Sequence, residues 1–306
     1  MQHRNPARGN PQRRVREHRD VRLWNVEFRM EKTTPSNSPL HRGKDERKKA
    51  PRCSNAACPP PFQGGARGGS IINLKSKINK VVYFVSGIDT DAGKSVVTGL
   101  LARSLRKRGV NVITQKFIQT GGVGISEDIL KHREIMGIEP QPVDKDGTTC
   151  PYVMTYPASP HLAAEIDKMT LDMERIAAST RKLDALYDMV LLEGAGGLYV
   201  PVTRDYFTID YIQEHGHPLI LVASSKLGSI NHTLMSLELC RMRGIEVACL
   251  VYNRFPNDSE WITNDSITIF KHYLEQYFPS TALIEIPVVH GNDYPDVDVS
   301  VLEGGK

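Results

Sequence analysis

Two hydrophobic patterns alternate along the chain from residue 80 onward. Apolar runs typical of buried strands lie at 81–85, 111–116, 189–193, 219–223, 246–252 and 282–286. Helical spacing of apolar residues predicts helices over 96–105, 128–136, 160–168, 171–187 and 231–243, with a proline-rich connection at 140–160. This alternation predicts an α/β fold: one domain with a mostly parallel β-sheet flanked by helices on both faces. Ligands of such sheets bind at the carboxyl ends of the strands, so the polar residues that follow each strand are the candidates for chemistry.

The first strand leads into a glycine-containing loop and then a helix. Gly87 and Gly93 enclose five residues, one more than the common P-loop spacing, and Lys94 and Ser95 follow directly. Backbone N–H groups at such a helix N-terminus lack intrahelical partners and can bind phosphate oxygens. Lys94 adds a mobile cation, and the Ser95 hydroxyl can bind magnesium. An ordinary glycine turn is the alternative, but the order of strand, loop, Lys-Ser and helix favours a nucleotide-binding P-loop.

Polar residues also follow the other predicted strands. Lys116 ends the second strand, Glu193 the third, and Asn253 follows the fifth. Taken singly, they could be a solvated strand end, a helix-dipole partner and a turn former, but all three meet at one edge of the sheet. Asp128 begins the helix that follows the second strand. With Glu193 and the Ser95 hydroxyl, Asp128 predicts an all-oxygen magnesium site that water completes.

Charge is distributed unevenly along the chain. The net charge is +4, yet residues 1–80 contain 19 Lys and Arg against 6 Asp and Glu, whereas the remainder contains 20 against 29. The basic leader has three explanations: a nucleic-acid-binding arm, a transit peptide, or a non-functional extension from an upstream start. Its low apolar content, and acidic residues such as Glu17 and Glu27, favour the extension. We therefore expect a disordered leader at 1–76 and the functional domain at 77–306.

Cysteine usage and hydropathy favour a cytoplasmic protein. The five cysteines show no metal-ligand spacing, and an odd count without a secretory signal indicates reduced thiols. No apolar run approaches the roughly 18 residues of a membrane span. We therefore predict no membrane association.

Seven motifs resemble the dethiobiotin synthetase family, and they occur in the family's order. They are GIDTDAGKS, QKFIQTG, YPASPH, LLEGAGG, KLGSINH, YN and EIP, and the resemblance covers residues 82–289. The family has the same longer P-loop spacing. The resemblance implies ATP-dependent closure of the ureido ring of dethiobiotin in biotin biosynthesis, with Mg²⁺ accompanying ATP. In that reaction 7,8-diaminopelargonate captures CO2 as a carbamate, ATP phosphorylates the carbamate, and the second amine expels phosphate.

The resemblance also implies roles for individual residues. Lys94 and Lys116 would be catalytic, stabilising anionic oxygens of the carbamate and the γ-phosphate electrostatically. Thr120, in place of a serine, would contact the diamine or carbamate, and Ser95, Asp128 and Glu193 would hold the metal. The ATP-binding residues would be Asp91, Ala92, Gly93, Lys94, Ser95, Val96, Asp128, Glu193, Gly194, Ala195, Gly196, Asn253, Arg254, Pro287, Val288 and Val289.

The KLGSINH segment implies a homodimer with active sites at the subunit interface. In the family this segment begins a helix whose N-terminus holds the carboxylate of a substrate bound mainly by the other subunit, because helix N-termini attract anions. The residues with this implied role are Gly228, Ser229, Ile230 and Asn231. The sequence departs from the family at Phe117, where a proline usually follows the strand-end lysine.

Two other functions compete with ring closure. A partitioning-type ATPase switch would use the basic leader to contact nucleic acid, but such proteins have a second lysine early in the P-loop, and 87–92 contains none. An amide synthetase of the cobyrinate type would need an appended glutaminase domain, which we do not expect after residue 289. The ring-closing ligase is favoured, with small-molecule substrates and without nucleic acid.

Overall fold

A computed structural model describes residues 80–303, so the predicted leader at 1–76 lies outside the described residues. Its strands are β1 (Val81–Gly87), β2 (Val112–Lys116), β3 (Gln119–Thr120), β4 (Val153–Met154), β5 (Met189–Gly197), β6 (Leu219–Ser224), β7 (Val247–Asn253) and β8 (Ala282–Ile286). Its α-helices are α1 (Lys94–Lys107), α2 (Glu127–Met136), α3 (Pro142–Lys145), α4 (Pro160–Asp167), α5 (Met173–Leu186), α6 (Thr208–His215), α7 (Ser229–Arg243), α8 (Glu260–Tyr277) and α9 (Ser300–Glu303).

Six strands form a parallel sheet in the order β2-β5-β1-β6-β7-β8, which confirms the predicted fold class. β3 and β4 form a separate parallel pair. The register of the large sheet places Lys116 of β2 beside Glu193 of β5. Gly87, at the end of β1, lies beside Gly197 of the same neighbouring strand. The P-loop and the two predicted charged residues are therefore delivered to one edge of the sheet.

Both faces of the sheet are covered by helices, which explains the nearly continuous apolar strands. Along β1, Tyr83 and Val85 pack in a layer with α1, α2 and α9, whereas Phe84 packs in the opposite layer with α4–α8. Alternate residues of one strand thus enter different cores. In the described chain, no helix combines the length and the hydropathy that a membrane crossing requires.

The structure corrects the predicted elements in three places. The connection at 140–160 contains the short helix α3 and the strand β4. The helix α6 lies in a region without a predicted element, because eight residues rich in β-branched and aromatic side chains give little helical pattern. The long helix α8 begins in the segment 256–266, where no helix was predicted. Its first turns bury Thr263 and Ser266 rather than large apolar residues, which hides the amphipathic pattern.

Three of the five cysteines lie in the described chain. Cys150, Cys240 and Cys249 are buried and form no disulfide, as the prediction of reduced thiols requires of them. Burial raises the pKa of the Cys249 thiol to about 12. These thiols are therefore packing residues rather than nucleophiles.

Candidate active site

The P-loop makes a tight passage from β1 to α1. A short 3₁₀ turn at Thr90–Ala92 takes up the extra residue of the loop, and Gly93 then adopts a left-handed conformation with φ of 88°. A Cβ atom on Gly93 would lie 2.3 Å from Nδ2 of Asn253. The same Nδ2 atom donates to the carbonyl of Ala92 at 3.1 Å. Glycine is therefore required here by both the backbone angle and the close approach of β7.

Lys94 curls back over this loop. Its ammonium donates to the carbonyls of Asp89 at 3.0 Å and Thr90 at 3.1 Å, and the residue is only 5% exposed. Burial is the main cause that lowers the pKa of Lys94 to about 8; Glu193 opposes the shift, and the nearby Lys116 ammonium adds to it. The P-loop cation is thus held beside the helix N-terminus, where phosphate oxygens would bind.

The predicted acidic residues meet the second lysine in a compact cluster. Nζ of Lys116 lies 2.5 Å from Oδ2 of Asp128 and 2.7 Å from Oε1 of Glu193. The Ser95 hydroxyl contacts Oδ1 of Asp128 at 2.7 Å and Oε1 of Glu193 at 3.0 Å. The end of β2, the middle of β5 and the N-termini of α1 and α2 therefore supply one site; β5 continues to Gly197, beyond the strand end predicted at Glu193.

Lys116 and Glu193 form a buried ion pair, and both side chains are charged. Burial opposes the charged form of Lys116, but Glu193 and Asp128 outweigh it and raise the pKa of the ammonium. Burial likewise opposes the charged form of Glu193, but the Lys116 ammonium and the hydrogen bonds from Lys116 and His132 outweigh it and hold the pKa of the carboxyl well below its usual range. Lys116 is consequently a fixed cation, unsuited to act as a general base at neutral pH.

A second buried network, absent from the sequence predictions, contacts Oε2 of Glu193, the oxygen that Lys116 and Ser95 do not bind. His132 of α2 places Nε2 2.7 Å from Oε2 of Glu193 and Nδ1 3.0 Å from the Thr114 hydroxyl. Arg133 donates to the same hydroxyl at 2.7 Å and forms a two-point ion pair with Asp144. The spacing of Asp128 and His132 is a sequence signal, because residues four apart share one helix face.

A cleft of about 770 Å³ opens at this edge of the sheet. The predicted site residues on its wall are Asp91, Gly93, Lys94, Ser95, Val96, Lys116, Thr120, Asp128, Glu193, Ala195, Gly196, Asn253 and Val289. Further lining residues that were not predicted include Thr90, Gln119, Lys131, Phe255 and Tyr294. Tyr294 and Gly291 come from the segment after β8, which carries no periodic pattern that could have indicated them.

Several predicted residues lie close to the cleft without forming its wall. Ala92 and Gly194 contribute backbone carbonyls, to Asn253 and to Lys116 respectively. Arg254 contacts Asn264 on α8. Pro287 is exposed and Val288 half-buried at the end of β8, and neither is among the lining residues.

The donor set near Ser95 suits a magnesium ion. Within residues 80–303, no three His, Cys, Asp or Glu side chains are arranged to hold a metal ion by themselves. Magnesium is usually bound by one or two carboxylates, with water and substrate phosphates supplying the remaining oxygens. Two carboxylates and a hydroxyl beside a P-loop meet that requirement.

A second cleft, of about 900 Å³, lies beside the first, and Thr90 lines both. Asn231 lines the second cleft, whereas Gly228, Ser229 and Ile230 do not. The Ser229 hydroxyl is buried and has no hydrogen-bond partner among the described residues. The structure therefore places Asn231 in a different cavity from Lys94 and Lys116. Three exposed apolar residues also line this second cleft: Tyr199, Met235 and Met242.

Comparison with known proteins identifies relatives over this domain. Residues 82–293 match a family described as an AAA domain. The chain is 49% identical over 200 residues to ATP-dependent dethiobiotin synthetase BioD 2 of Pasteurella multocida, covering 65% of this chain and 94% of the relative. It is 51% identical over 204 residues to ATP-dependent dethiobiotin synthetase BioD of Chlorobaculum tepidum, covering 66% and 85%.

A third relative is more similar over a shorter span. The chain is 55% identical over 175 residues to ATP-dependent dethiobiotin synthetase BioD 2 of Haemophilus influenzae, covering 57% of this chain and 92% of the relative. These matches span most of each relative, and the family match over residues 82–293 includes the P-loop and the strands that form the cleft. The chain belongs to the AAA domain family and, within it, to the ATP-dependent dethiobiotin synthetases.

Proposed function

We propose that the chain closes the ureido ring of dethiobiotin from 7,8-diaminopelargonate, CO2 and ATP, releasing ADP and phosphate. The observation that carries the proposal is the convergence of two buried lysines on one cleft. Lys94 comes from the P-loop and Lys116 from the end of β2. Lys94 would bind the nucleotide phosphates, and Lys116 would lie where an anionic co-substrate meets the γ-phosphate.

ATP would bind along the P-loop wall of the cleft. The N–H groups at the start of α1 and the Lys94 ammonium face the phosphate region. Asn253, which contacts the P-loop, and Val289 also line the cleft, and we assign adenine to the part beside them. Ser95, Asp128 and Glu193 would hold Mg²⁺, which would neutralise part of the phosphate charge.

The chemistry needs charge stabilisation more than proton transfer. The diamine captures CO2 as a carbamate, and a carbamate oxygen attacks the γ-phosphorus while ADP leaves. The second amine then attacks the carbamate carbon and expels phosphate, closing the five-membered ring. Lys116 stays protonated beside Asp128 and Glu193, so it can stabilise the anionic oxygens throughout. Thr120 lines the same cleft and offers a hydroxyl to the carbamate or an amine.

We also propose a homodimer in which the second cleft meets the partner's active site. The N-terminus of α7 would bind the substrate carboxylate across the interface, with Asn231 facing it. The exposed apolar residues Tyr199, Met235 and Met242 support this proposal, because such a surface is typical of subunit contacts. The substrates are small molecules, no nucleic acid is needed, and the reduced thiols suit the cytoplasm.

Product analysis tests the proposal. Purified protein is incubated with diaminopelargonate, bicarbonate and Mg-ATP, and the organic product is identified by mass spectrometry. Dethiobiotin, ADP and phosphate in equal amounts are expected. The matched control substrate is 7-keto-8-aminopelargonate, which lacks one amine and cannot close the ring. ADP release without dethiobiotin from the diamine would contradict the proposal and favour an ATPase.

A further inference from the structure

We propose that His132 is a positioning residue for Glu193: its ring donates Nε2–H to Oε2 of Glu193 and thereby directs Oε1 towards Ser95 and Lys116. The proposal rests on the proposed function in assigning Glu193 to the metal site. Both side chains are fully buried, and the Nε2–Oε2 distance is 2.7 Å. A histidine held this way acts on the metal only through the carboxylate it orients.

Counting the hydrogen bonds at Thr114 shows which ring nitrogen of His132 carries the proton. The Thr114 hydroxyl has one proton to donate and accepts from Nη1 of Arg133 at 2.7 Å. Among the described residues, its other side-chain contact is Nδ1 of His132, at 3.0 Å. Thr114 is fully buried, and a buried hydroxyl proton without an acceptor is costly. Thr114 therefore donates to Nδ1, which leaves the ring proton on Nε2.

Arg133 fixes the direction of this chain of hydrogen bonds. Its guanidinium is bound at two points to Asp144, with Nε–Oδ2 at 2.9 Å and Nη2–Oδ1 at 2.8 Å. Arginine has donors and no acceptor, so it cannot receive the Thr114 proton. Donation thus runs outward from Arg133: in one direction to Asp144, and in the other to Thr114, from Thr114 to His132 and from His132 to Glu193.

As a consequence, the two carboxylate oxygens of Glu193 have different hydrogen-bond partners. Oε2 accepts from His132, whereas Oε1 accepts from Lys116 at 2.7 Å and from Ser95 at 3.0 Å. Without the bond to Oε2, the carboxylate could rotate and present both oxygens to the Lys116 ammonium. Magnesium affinity would then fall, because the ligand must be reoriented before it binds.

Two amide substitutions separate positioning from packing. His132→Gln keeps an N–H donor near the place of Nε2, whereas His132→Asn keeps a polar group near Nδ1 and loses the donor to Glu193. The measurement is Mn²⁺ affinity in the presence of ADP, by electron paramagnetic resonance. We expect His132→Asn to weaken Mn²⁺ binding about 10- to 100-fold and His132→Gln to restore most of it. Equal Mn²⁺ affinity of the two variants, whether intact or weakened, would overturn the proposal.

A metal-free measurement on the unaltered chain covers the case in which the variants fold poorly. Long-range ¹H–¹⁵N correlation of the histidine rings reports which nitrogen carries the proton, and sequential backbone assignment of the unaltered chain identifies the signal of His132. A proton on Nε2 is expected, and a ring that carries its proton on Nδ1 alone would contradict the proposal. Neither readout needs turnover. If the protein makes no dethiobiotin but gives both expected results, the proposed function is wrong and the proposal for His132 still holds.

Discussion

At the scale of single residues, Lys116 is a buried cation held between two carboxylates. It is 5% exposed, it ends β2, and its ammonium lies within 2.7 Å of oxygens on both Asp128 and Glu193. The flanking Phe117 packs its ring 5.7 Å from Phe84, edge to face, and is fully buried. A phenylalanine core contact therefore anchors the residue that follows Lys116, at the position where the family usually has proline.

Replacing Lys116 by Met should stop ring closure while nucleotide binding survives. Loss of one charge that stabilises the transition state costs about 3–4 kcal/mol, so kcat should fall about 100- to 1000-fold. The dissociation constant for ADP should change by less than about tenfold, because Lys94 and the P-loop amides are untouched. Steady-state kinetics and calorimetry measure the two quantities.

The control for Lys116→Met is Lys271→Met, which removes an exposed lysine on α8 whose ion pair with Glu285 spans 3.6 Å. That variant should keep normal kinetics, since surface ion pairs contribute little. Turnover of Lys116→Met within about tenfold of normal would show that the second lysine is not catalytic.

His217 is a half-buried histidine whose Nε2 atom is buried without a hydrogen-bond partner among the described residues, and it should make the fold sensitive to acid. Burial lowers its pKa to about 4, and the stacked ring of His215 contributes in the same direction. The folded state therefore resists protonation, and stability present above pH 6.5 is lost as the pH falls towards 4. Between pH 7.5 and 4.5, His217→Phe should lose about 2 kcal/mol less unfolding free energy than the unaltered chain.

Urea unfolding at the two pH values measures this difference. Other groups also titrate over the interval, so the comparison with His217→Phe isolates one residue. His272→Phe, at an exposed position on α8, is the control and should follow the unaltered chain. Identical acid sensitivity in His217→Phe and the unaltered chain would contradict the assignment of a neutral ring.

At the scale of elements, the packing of α1 on α2 sets the geometry of the acidic cluster. α1 carries Lys94 and Ser95, and α2 carries Asp128 and His132. The two helices approach closely at Gly99, where a Cβ atom would lie 2.8 Å from Cδ1 and 3.0 Å from Cβ of Ile135. The distance between the hydroxyl and carboxylate ligands therefore depends on a glycine one turn inside the P-loop helix.

Gly99→Ala should destabilise the protein despite the better helix propensity of alanine. Overpacking costs about 1–3 kcal/mol, whereas replacing a helical glycine by alanine gains about 1 kcal/mol. We expect a net loss of about 1 kcal/mol in urea unfolding. Ile135→Val removes the nearest clashing atom, so the double variant should be more stable than the sum of the single effects. Strict additivity of the two changes would argue against a clash between α1 and α2.

Sequence patterns predicted the six strands of the large sheet because most of them are buried on both faces and rich in apolar residues; the edge strand β8 is only partly buried but has enough apolar residues to be recognised. They predicted the cluster of Ser95, Lys116, Asp128 and Glu193 because parallel strand ends share one edge. They missed α8, whose first turns bury hydroxyl side chains, and they missed His132, whose role arises only from tertiary contacts. The division of the chain at residue 76 stays a prediction, since the leader lies outside the described residues.

At the scale of the whole molecule, the arrangement of the two clefts predicts a shared active site. Asn231→Asp would place a carboxylate at the N-terminus of α7, where it would repel the substrate carboxylate and compete for the helix N–H groups. The KM for diaminopelargonate should rise about tenfold or more, while the KM for ATP changes little. A parallel rise in both KM values would contradict the assignment.

Mixing Asn231→Asp with Lys116→Met extends this prediction to the dimer. In a heterodimer, the lysine variant supplies an intact Asn231 and its partner supplies an intact Lys116, so one of the two sites is complete. Activity should therefore return on mixing, after native mass spectrometry has established subunit exchange. Exchanged subunits without restored activity would mean that both residues act within one subunit.

The most direct test of ring closure through a phosphorylated carbamate follows the oxygen atoms of CO2. Bicarbonate labelled with ¹⁸O is mixed with the enzyme, diaminopelargonate and Mg-ATP in ordinary water, and both products are analysed by mass spectrometry within the first turnovers. One labelled oxygen is expected in the released phosphate and one in the ureido carbonyl of dethiobiotin. Phosphate without label would contradict the mechanism, because its fourth oxygen would then have come from water.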